Sequence, residues 1–471
     1  MQRRRFIQNT TVLGAGVLAG KLSFAALPPF PVVRLEAAKR NFRSKAVDNA
    51  IAEFKAKVKN PELGWLFENC FPNTLDTTVF YSESAGKPDT YVITGDIDAM
   101  WLRDSSAQVW PYLQFVKQDK PLARLIAGVI SRQTRCILKD PYANAFYKDD
   151  TKVGEWKNDR TDMKPGVHER KWELDSLCYT IRLAYHYWQN TGDSSPFDGV
   201  WKSGIERTLN VMLEQQRKTG NGPYHFQRES LYPHDTQSMN GYGFPVKPNG
   251  LICSSFRPSD DATTFPFLIP SNFFAVTSLK QAAQMVSTIH KDAVLATHLT
   301  ALANEVAAAL KQYAVVDHPQ HGKIYAFEID GFGGQCIMDD SNVPNLLALP
   351  YLDSLSVNDA IYQNTRKFIL SNNNPYFFKG KFAEGVGGPH IGADMIWPMS
   401  LIMRGMTSSS DQEIKTCIET LRTTHAGKGF MHESFHKDDP TKFTRSWFAW
   451  ANTLFGEFLW KVYKERPHLL A

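Results

Sequence analysis

The sequence lacks the marks of several large classes of protein. Its six cysteines stand singly, with no C-x-x-C pair, so neither cysteine-ligated zinc nor a dense disulfide framework is expected. No apolar run reaches the roughly 20 residues that cross a bilayer. The net charge of +5 includes no extended Lys/Arg run that would indicate a nucleic-acid partner. We therefore infer no membrane span, no nucleic acid and no obligate protein partner.

The first 25 residues have the features of an export signal. Arg3 and Arg4 form a twin-arginine pair, and a short apolar run follows at residues 12–20. Residues 23–25 then supply small side chains for cleavage. This pattern predicts a twin-arginine signal peptide at residues 1–25, which is removed from an exported, periplasmic protein.

Helical periodicity dominates the rest of the chain. Apolar residues recur at three- and four-residue spacing in about a dozen segments, "SNVPNLLALPYL" (341–352) among them. Clear alternation is confined to "DTYVITG" and "KIYAFEIDG", which are short enough for hairpins. No 20–50-residue repeat or low-complexity linker interrupts the pattern. We predict a mainly α fold over residues 26–471: one (α/α)6 barrel, or toroid, of six helical pairs with small β-hairpin accessories.

A polar cluster precedes one of these helices. The run "TGDIDAMWLRDSSAQVW" carries Asp98, Trp101, Arg103 and Asp104 within seven residues. Carboxylates that accept hydrogen bonds from hydroxyls, beside an aromatic platform, suit a monosaccharide pocket. Asp104 is equally well placed to cap a helix that begins at Ser105. The spacing of a calcium-binding loop is absent.

Two more acidic clusters stand before predicted helices. Glu169 lies in "GVHERKWELDS", where charge at a helix start is the alternative to substrate contact. Asp260 and Asp261 are adjacent in "CSSFRPSDDATTF", three residues after Arg257. Neighbouring acids beside an apolar stretch repel each other and lose hydration, so that one of them can retain the proton that a general acid needs. The alternative is a turn that caps the next helix.

A glycine-rich loop adds further candidates. The run "EGVGGPHIGADMIWP" bears His390, Asp394 and Trp397. It has neither the G-x-G-x-x-G nor the P-loop pattern, so a nucleotide site is not predicted.

The run "GFMHESFHKDDP" contains an H-E-x-x-H string formed by His432, Glu433 and His436. On a helix, this spacing holds zinc between the two histidines while the glutamate acts as base. Here glycines precede the string and Asp-Asp-Pro follows it, which leaves at most about two helical turns. We therefore predict no metal, and we take Glu433 as a candidate catalytic carboxylate.

Together, "GDIDAMWLRDS", "HERKWELDS", "SSFRPSDDA", "GVGGPHIGADMIWP" and "HESFHKDDPTKFTRSWFAWANTLFGE" resemble glycoside hydrolase family 125, from about Asn41 to the C-terminus. The resemblance implies an exo-acting α-1,6-mannosidase that needs no metal or other cofactor. It also implies an (α/α)6 barrel and inversion at the anomeric centre. The implied substrate is a mannose-containing oligosaccharide, such as an N-glycan or mannan fragment.

The resemblance also implies roles for single residues. It assigns the acid to "RPSDD" and the base to "HES", hence Asp260 and Glu433, with Asp261 as the alternative acid. We expect the following residues to line the pocket for the nonreducing-end sugar: Asp98, Trp101, Arg103, Asp104, Glu169, Arg257, Asp261, His390, Asp394, Trp397, His432 and Trp447. Two alternatives stay open, a zinc metallopeptidase that uses His432, Glu433 and His436, and a non-catalytic glycan-binding protein.

Overall fold

The computed structural model describes residues 30–470, so the predicted signal peptide at residues 1–25 lies outside the described residues. Val33–Ala471 forms one compact unit. α-Helices dominate it, and the described range contains thirteen: α1 (Lys45–Lys57), α2 (Pro61–Cys70), α3 (Asn73–Thr77), α4 (Leu102–Val109), α5 (Lys120–Lys139), α6 (Leu174–Thr191), α7 (Gly199–Glu214), α8 (Ile269–Met285), α9 (Ala293–Tyr313), α10 (Ala360–Ile369), α11 (Pro398–Met406), α12 (Asp411–Thr423) and α13 (Ala449–Glu465).

The strands are short and form small antiparallel sheets. They are β1 (Val79–Ser84), β2 (Lys87–Val92), β3 (Met100–Trp101), β4 (Ala145–Phe146), β5 (Val167–Glu169), β6 (Phe267–Leu268), β7 (Val315–His318), β8 (Gly322–Tyr325), β9 (Glu328–Ile329), β10 (Gln335–Cys336), β11 (Phe377–Lys379), β12 (Glu384–Val386), β13 (Met395–Ile396), β14 (Ser434–His436) and β15 (Asp439–Thr444). The sheets are β1-β2, β10-β9-β6, β11-β12, β13-β14-β15, β3-β4-β5 and β7-β8. They are accessories to a helical fold, as predicted.

Burial separates the helices into two layers. Every residue of α4 is buried, and α6, α8, α11 and α13 are buried over most of their length. In contrast, α9, α10 and α12 bury only one stripe, which is the pattern of helices with one face in solvent. The fully buried helices therefore form an inner layer, and the amphipathic ones pack around it.

Contacts between the inner helices close a ring. Helix α4 packs on α6, α6 on α8, α11 on α13, and α13 on α4. Residues 341–355 complete the ring between α8 and α13, where the Tyr351 hydroxyl donates to Glu457 Oε2 at 2.9 Å. The Tyr179 hydroxyl of α6 donates to the Val343 carbonyl at 2.9 Å, and the Thr277 hydroxyl of α8 lies 3.2 Å from that of Ser354. With the outer helices, this ring is the predicted (α/α)6 barrel.

One predicted helix is absent. Residues 341–352 form turns and bends instead. Pro344 and Pro350 lack backbone N–H donors and disfavour helical geometry in the residue before them. The Asp339 carboxylate accepts the N–H groups of Leu346 and Leu347 at 2.9 and 3.1 Å, which replaces helical hydrogen bonds. The apolar spacing of residues 341–352 therefore reflects their burial in the ring and not a helical conformation.

Helices α2 and α3 were missed by the periodicity. The start of α2 has a local signal, because Asn60 Oδ1 accepts from the N–H groups of Glu62 and Leu63 while Pro61 occupies the first helical position.

Helix α9 is long and apolar enough, by length and composition, to cross a membrane. It packs against α8, and helices inside protein cores share this composition, so the resemblance to a span is weak evidence.

The ring positions the chemistry at one end. The segments that enter α4, α6, α8, α11 and α13 carry the polar clusters of the sequence. Sheet β3-β4-β5 pairs Trp101 with Ala145 and Ala145 with Glu169, and thereby joins the first two of these segments. Sheet β13-β14-β15 pairs Ile396 with Phe435, and thereby joins the last two. The candidate site lies where these segments meet.

Candidate active site

A cavity of about 760 Å³ lies among the segments that precede the inner helices. This volume is within the usual range of small-ligand sites. Nine residues singled out from the sequence line it: Trp101, Arg103, Asp104, Glu169, Asp260, Asp261, His390, Trp397 and Glu433. Residues more than 300 positions apart in the sequence thus line the same cavity, including both candidate catalytic carboxylates.

Asp260 stands on the loop before α8 in an unusual backbone conformation. Its φ is +68°, in the left-handed region that costs a non-glycine residue energy and is often found at functional sites. Arg103 Nη2 and Asn144 Nδ2 donate to Asp260 Oδ1 at 3.4 and 3.5 Å, and Lys171 Nζ donates to its carbonyl at 2.9 Å. The side chain is 30% exposed, so it borders the cavity while its backbone is anchored.

Asp261 has a different environment from its neighbour. Its side chain is 1% exposed, and Oδ1 accepts from His390 Nδ1 at 3.0 Å. Burial lowers the pKa of His390, but the hydrogen bond to Asp261 and the charges of Asp261, Asp260 and Glu433 outweigh it and raise the pKa to about 9. His390 is therefore a cation in contact with the acidic loop. The two adjacent acids are not equivalent, because Asp260 is the one that reaches open space.

Glu433 immediately precedes β14 in the sheet β13-β14-β15. Its side chain is 12% exposed, and Arg445 Nη1 donates to its Oε1 at 3.3 Å. Arg445 also pairs with Asp96. A carboxylate held by one arginine and open to the cavity keeps a free oxygen that can accept a proton.

Arg103 is surrounded by carboxyl groups at the floor of the site. Its Nη1 donates to Glu173 Oε2 at 2.6 Å and to Asp175 Oδ2 at 3.3 Å, and its Nε lies 3.5 Å from Asp104 Oδ2. Burial raises the pKa of Asp104 to about 6, against the charge of Arg103 and with help from the charge of Asp260. Asp104 is in the first turn of α4, which begins at Leu102, so it is not the predicted cap.

A buried ion network forms another wall. Glu169 lies 3.5 Å from Lys171 Nζ and accepts from Arg228 Nη1 at 2.8 Å. Arg228 also pairs with Asp159, and Lys171 donates to Asp235 Oδ1 at 2.7 Å. Burial alone would raise the pKa of Glu169, but Lys171 and Arg228 lower it to about 2. Glu169 is therefore a fixed negative charge.

Aromatic rings complete the cavity. Trp101 and Trp397 line it as predicted, and Trp156, Phe448 and Trp450 do so without having been singled out. The Arg228 guanidinium lies 3.7 Å from the centre of the Trp156 ring, which fixes that ring against the ion network. Apolar rings beside charged hydrogen-bond acceptors give the mixed surface that suits a sugar.

Five predicted pocket residues are not among those that line this cavity. The side chain of Asp98 is 76% exposed and near Lys152, and Asp394 faces Lys437 at 3.7 Å. Trp447 is half-buried beside Gly95. The other two are Arg257 and His432, and both have structural partners. Arg257 pairs with Glu328 under the acidic loop, with Nε 2.6 Å from Oε1.

The H-E-x-x-H string does not form the helix that a zinc peptidase needs. Ser434–His436 is strand β14, so the two histidines do not share a helical face. The His432 ring stacks on Phe443 at 3.9 Å between centres, and its Nδ1 lies 2.9 Å from the Ser446 carbonyl. Burial lowers the pKa of His432 to about 4, so its ring is a neutral packing element beside Glu433.

Several residues of the site were missed from the sequence. They are chiefly Lys171, Arg228, Asp235 and Arg445. Lys171 had a signal, since it alternates with Arg170 and Trp172 along an extended segment and so shares the side of Glu169. Arg170 points the other way, with Nε 2.8 Å from Asp140 Oδ2. Arg228 and Arg445 each form ion pairs with residues distant in the sequence, and no local sequence pattern marks either of them.

An (α/α)6 barrel that brings carboxylates from separate segments into one sugar-sized cavity is typical of a glycoside hydrolase. Comparison with known proteins identifies its family. Residues 60–460 match the model of the metal-independent alpha-mannosidases, GH125, and the chain belongs to this family.

The chain is also similar over most of its length to individual proteins. The chain is 42% identical to the meiotically up-regulated gene 157 protein of Schizosaccharomyces pombe over 96% of its own length and 92% of that protein. It is 41% identical to a metal-independent α-mannosidase from Streptococcus pneumoniae, solved in a non-productive complex with α-1,6-mannobiose. The TM-score is 0.87, and the match covers 90% of this chain and 100% of that one.

A distant solved structure shares the barrel alone. The GH78 rhamnosidase of Bacillus sp. GL1 is 11% identical, with a TM-score of 0.53 over 85% of this chain and 35% of that one. At this identity the likeness concerns the fold and says nothing about the sugar that is cleaved.

Proposed function

We propose that this α-mannosidase is an exo-acting, inverting enzyme that releases α-1,6-linked mannose from the nonreducing end of an oligosaccharide. The observation that carries the proposal is that Asp260 and Glu433 border the same cavity from separate segments of the chain. The α-1,6 linkage is supported by the Streptococcus pneumoniae relative, which was solved with α-1,6-mannobiose.

The two carboxyl groups have complementary environments for this reaction. Asp260 donates a proton to the departing glycosidic oxygen as the bond from that oxygen to C1 breaks. Glu433 removes a proton from a water molecule whose oxygen bonds to C1 from the opposite face. The product sugar then has the inverted configuration, and the two carboxyl groups recover their protonation states through solvent.

Neighbouring charges support these roles. Glu433 is held by Arg445, which fixes the position of its carboxylate at the cavity. Asp261 is engaged by His390, which supports Asp260 as the acid. The fixed negative charge of Glu169 and the Trp101 and Trp397 rings provide hydrogen-bond acceptors and an apolar surface for a pyranose.

Product analysis tests the proposal directly. The purified enzyme is incubated with α-1,2-, α-1,3- and α-1,6-mannobiose, and proton NMR follows the anomer of mannose that is released first. We expect cleavage of α-1,6-mannobiose with initial formation of β-mannose. Initial release of α-mannose would show retention of configuration and overturn the inverting assignment. Faster cleavage of another mannobiose would overturn the proposed α-1,6 linkage.

Single substitutions test the roles of the two carboxylates. Glu433→Gln should lower kcat by about 10²–10⁴-fold, the usual contribution of general base catalysis, without loss of folded structure. The zinc-peptidase alternative predicts chelator-sensitive proteolysis instead. A glycan-binding protein without turnover predicts mannobiose binding and no product from the unaltered enzyme.

We also propose export by the twin-arginine route, from Arg3, Arg4 and the short apolar run that follows. Replacement of both arginines by lysine should leave the protein unprocessed inside the cell. Processing and export that continue in this variant would contradict the route.

A further inference from the structure

Glu173 and Asp260 share their polar partners. Arg103 Nη1 lies 2.6 Å from Glu173 Oε2, while Nη2 of the same guanidinium lies 3.4 Å from Asp260 Oδ1. Asn144 Nδ2 is likewise 3.2 Å from Glu173 Oε1 and 3.5 Å from Asp260 Oδ1. The two carboxyl groups therefore lie against the same two donors. Two ionised carboxylates placed in this way repel each other, so a proton retained by one of them stabilises the pair.

The charges around the pair also require retained protons. Arg103 faces four carboxyl groups within 3.5 Å. The nearest other cations are already engaged, Lys171 by Glu169 and Asp235, and Arg228 by Glu169, Asp159 and Asp235. The charged or titratable groups that face the pair are Arg103 and Asp104 on α4, His168 and Glu169 on β5, Lys171 before α6, Asp175 on α6, and His390 before α11.

One guanidinium cannot stabilise four negative charges in a site with little water. Glu173 is the most deeply placed member of the pair, since its side chain has no exposed surface while that of Asp260 is 30% exposed. Burial raises the pKa of Glu173 well above its usual value, against Arg103, and the charges of Asp260 and Asp175 add to the increase. The deep burial of Glu173 therefore favours its protonated form.

Substrate changes this balance. A sugar that fills the cavity removes water from Asp260, which makes a negative charge there less favourable relative to Glu173. We propose that Glu173 is a positioning residue that shares one proton with Asp260 and transfers it to Asp260 when substrate binds. This inference rests on the proposed role of Asp260 as the general acid.

The proton balance is closed. During cleavage, the Asp260 O–H bond breaks and its proton bonds to the glycosidic oxygen as the bond to C1 breaks. The attacking water bonds to C1 and releases its proton to Glu433. After the products leave, the Glu173–Asp260 pair takes one proton from solvent, and Glu433 returns one to solvent.

The variant Glu173→Gln removes the shared proton but keeps the size of the side chain. We expect kcat for α-1,6-mannobiose to fall at least about 10-fold, a part of the usual contribution of acid catalysis. With 2,4-dinitrophenyl α-mannoside, whose leaving group needs no proton, the loss should stay below about 3-fold. The alkaline limb of kcat/KM for mannobiose should move to lower pH, because Asp260 then faces Arg103 without a second acid.

Two comparisons make the result decisive. Ser176→Ala removes the hydrogen bond from Ser176 Oγ to Glu173 Oε2, 2.8 Å long, but no titratable group, and it should keep the alkaline limb in place. Asp260→Asn should show the same dependence on the leaving group as Glu173→Gln. If Asp260→Asn loses equally on both substrates, the proposed acid is wrong. If Glu173→Gln alone loses activity equally on both substrates, the proposed role of Glu173 is overturned while that of Asp260 stands. The same conclusion follows if Glu173→Gln leaves the alkaline limb of kcat/KM where it is in the native enzyme.

A measurement on the native pair covers the case in which Glu173→Gln does not fold. Glutamate labelled with carbon-13 at the carboxyl group shifts the infrared band of a protonated glutamic acid. Among the described residues, the other glutamate whose pKa is raised by burial is Glu457, which lines a separate cavity and is removed by Glu457→Gln. The protonated-glutamic-acid band that remains in Glu457→Gln should disappear over the pH range in which kcat/KM falls on the alkaline side. Absence of this band at the pH of full activity would overturn the proposal.

Discussion

Arg445 Nη1 donates to Glu433 Oε1 at 3.3 Å, and the same guanidinium pairs with Asp96 from the segment before α4. Arg445 thus ties the proposed base to a part of the chain more than 330 residues away. Its φ of +37° lies in the left-handed region, as does that of Asp260 at +68°. Both proposed catalytic carboxylates therefore depend on a backbone position that costs energy and is held by the surrounding ion pairs.

We expect Arg445→Lys to lower kcat of the mannosidase by about 10–100-fold, because a single ammonium cannot hold Glu433 and Asp96 in one geometry. KM should change less than kcat, since the base acts on water rather than on bound sugar. Steady-state kinetics with α-1,6-mannobiose measure both. Asp96→Asn, which removes only the outer partner, should have the smaller effect, and equal effects of the two variants would contradict this arrangement.

His390 should make stability depend on pH in the alkaline range. Its pKa is about 9 in the folded protein and about 6.5 when unfolded, so its protonation stabilises the fold fully below about pH 6.5. That contribution is lost as the pH rises towards 9 and beyond. The side chain is 35% exposed, so after discounting for solvent screening we expect about 1 kcal/mol.

Urea unfolding at several pH values measures this effect. His390→Gln should remove the part of the slope between about pH 6.5 and 9. His298→Gln, which alters an exposed histidine on α9, serves as the matched control and should leave the slope unchanged. An identical pH dependence in the native enzyme and in His390→Gln would show that the His390–Asp261 pair contributes nothing to folding.

Activity should not depend on the two histidines of the H-E-x-x-H string as metal ligands. We expect dialysis against EDTA to leave kcat unchanged and His436→Gln to stay within about 3-fold of the native value. The reason is that β14 directs His436 to Asp438, whose N–H donates to His436 Nδ1 at 3.1 Å. Loss of activity on dialysis, with recovery on addition of zinc, would contradict this prediction.

The barrel could be predicted because the buried residues of most of its helices recur in the sequence at helical spacing. Inner helices such as α6 and α13 are buried over most of their length, and outer helices such as α12 bury one stripe, and in both the apolar residues recur at three- and four-residue spacing. The same signal failed at residues 341–352. Burial there comes from a turn-rich segment, whose backbone is satisfied by the side chains of Asp339 and Asn345 rather than by helical bonds.

The candidate site was predictable where chemistry is concentrated in short runs. Asp260, Asp261 and Glu433 stand in such runs and line one cavity. Arg228 and Arg445 stand alone in the sequence, and their importance arises from partners 69 and 349 residues away, Asp159 and Asp96. Local pattern cannot report pairs at that separation.

Arg257 is the clearest case of a motif residue with a structural role. It belongs to the run that carries Asp260, and it was expected on the wall of the pocket. Instead, its guanidinium lies under that loop, with both Arg257 and Glu328 almost fully buried. Glu328 Oε2 also accepts the N–H groups of Thr264 and Phe265 at 3.0 and 3.1 Å, so the pair fixes the loop from below.

We expect Arg257→Met to destabilise the protein by about 3–5 kcal/mol, because it leaves the Glu328 carboxylate buried without its cation. The double variant Arg257→Met with Glu328→Gln should recover part of the loss, since the amide carries no charge and still accepts the two loop N–H groups. Free energies of unfolding in urea measure both variants. A loss below about 1 kcal/mol in the single variant would mean that water reaches Glu328. Arg257 would then belong to the pocket after all, and its replacement should raise KM for mannobiose rather than lower stability.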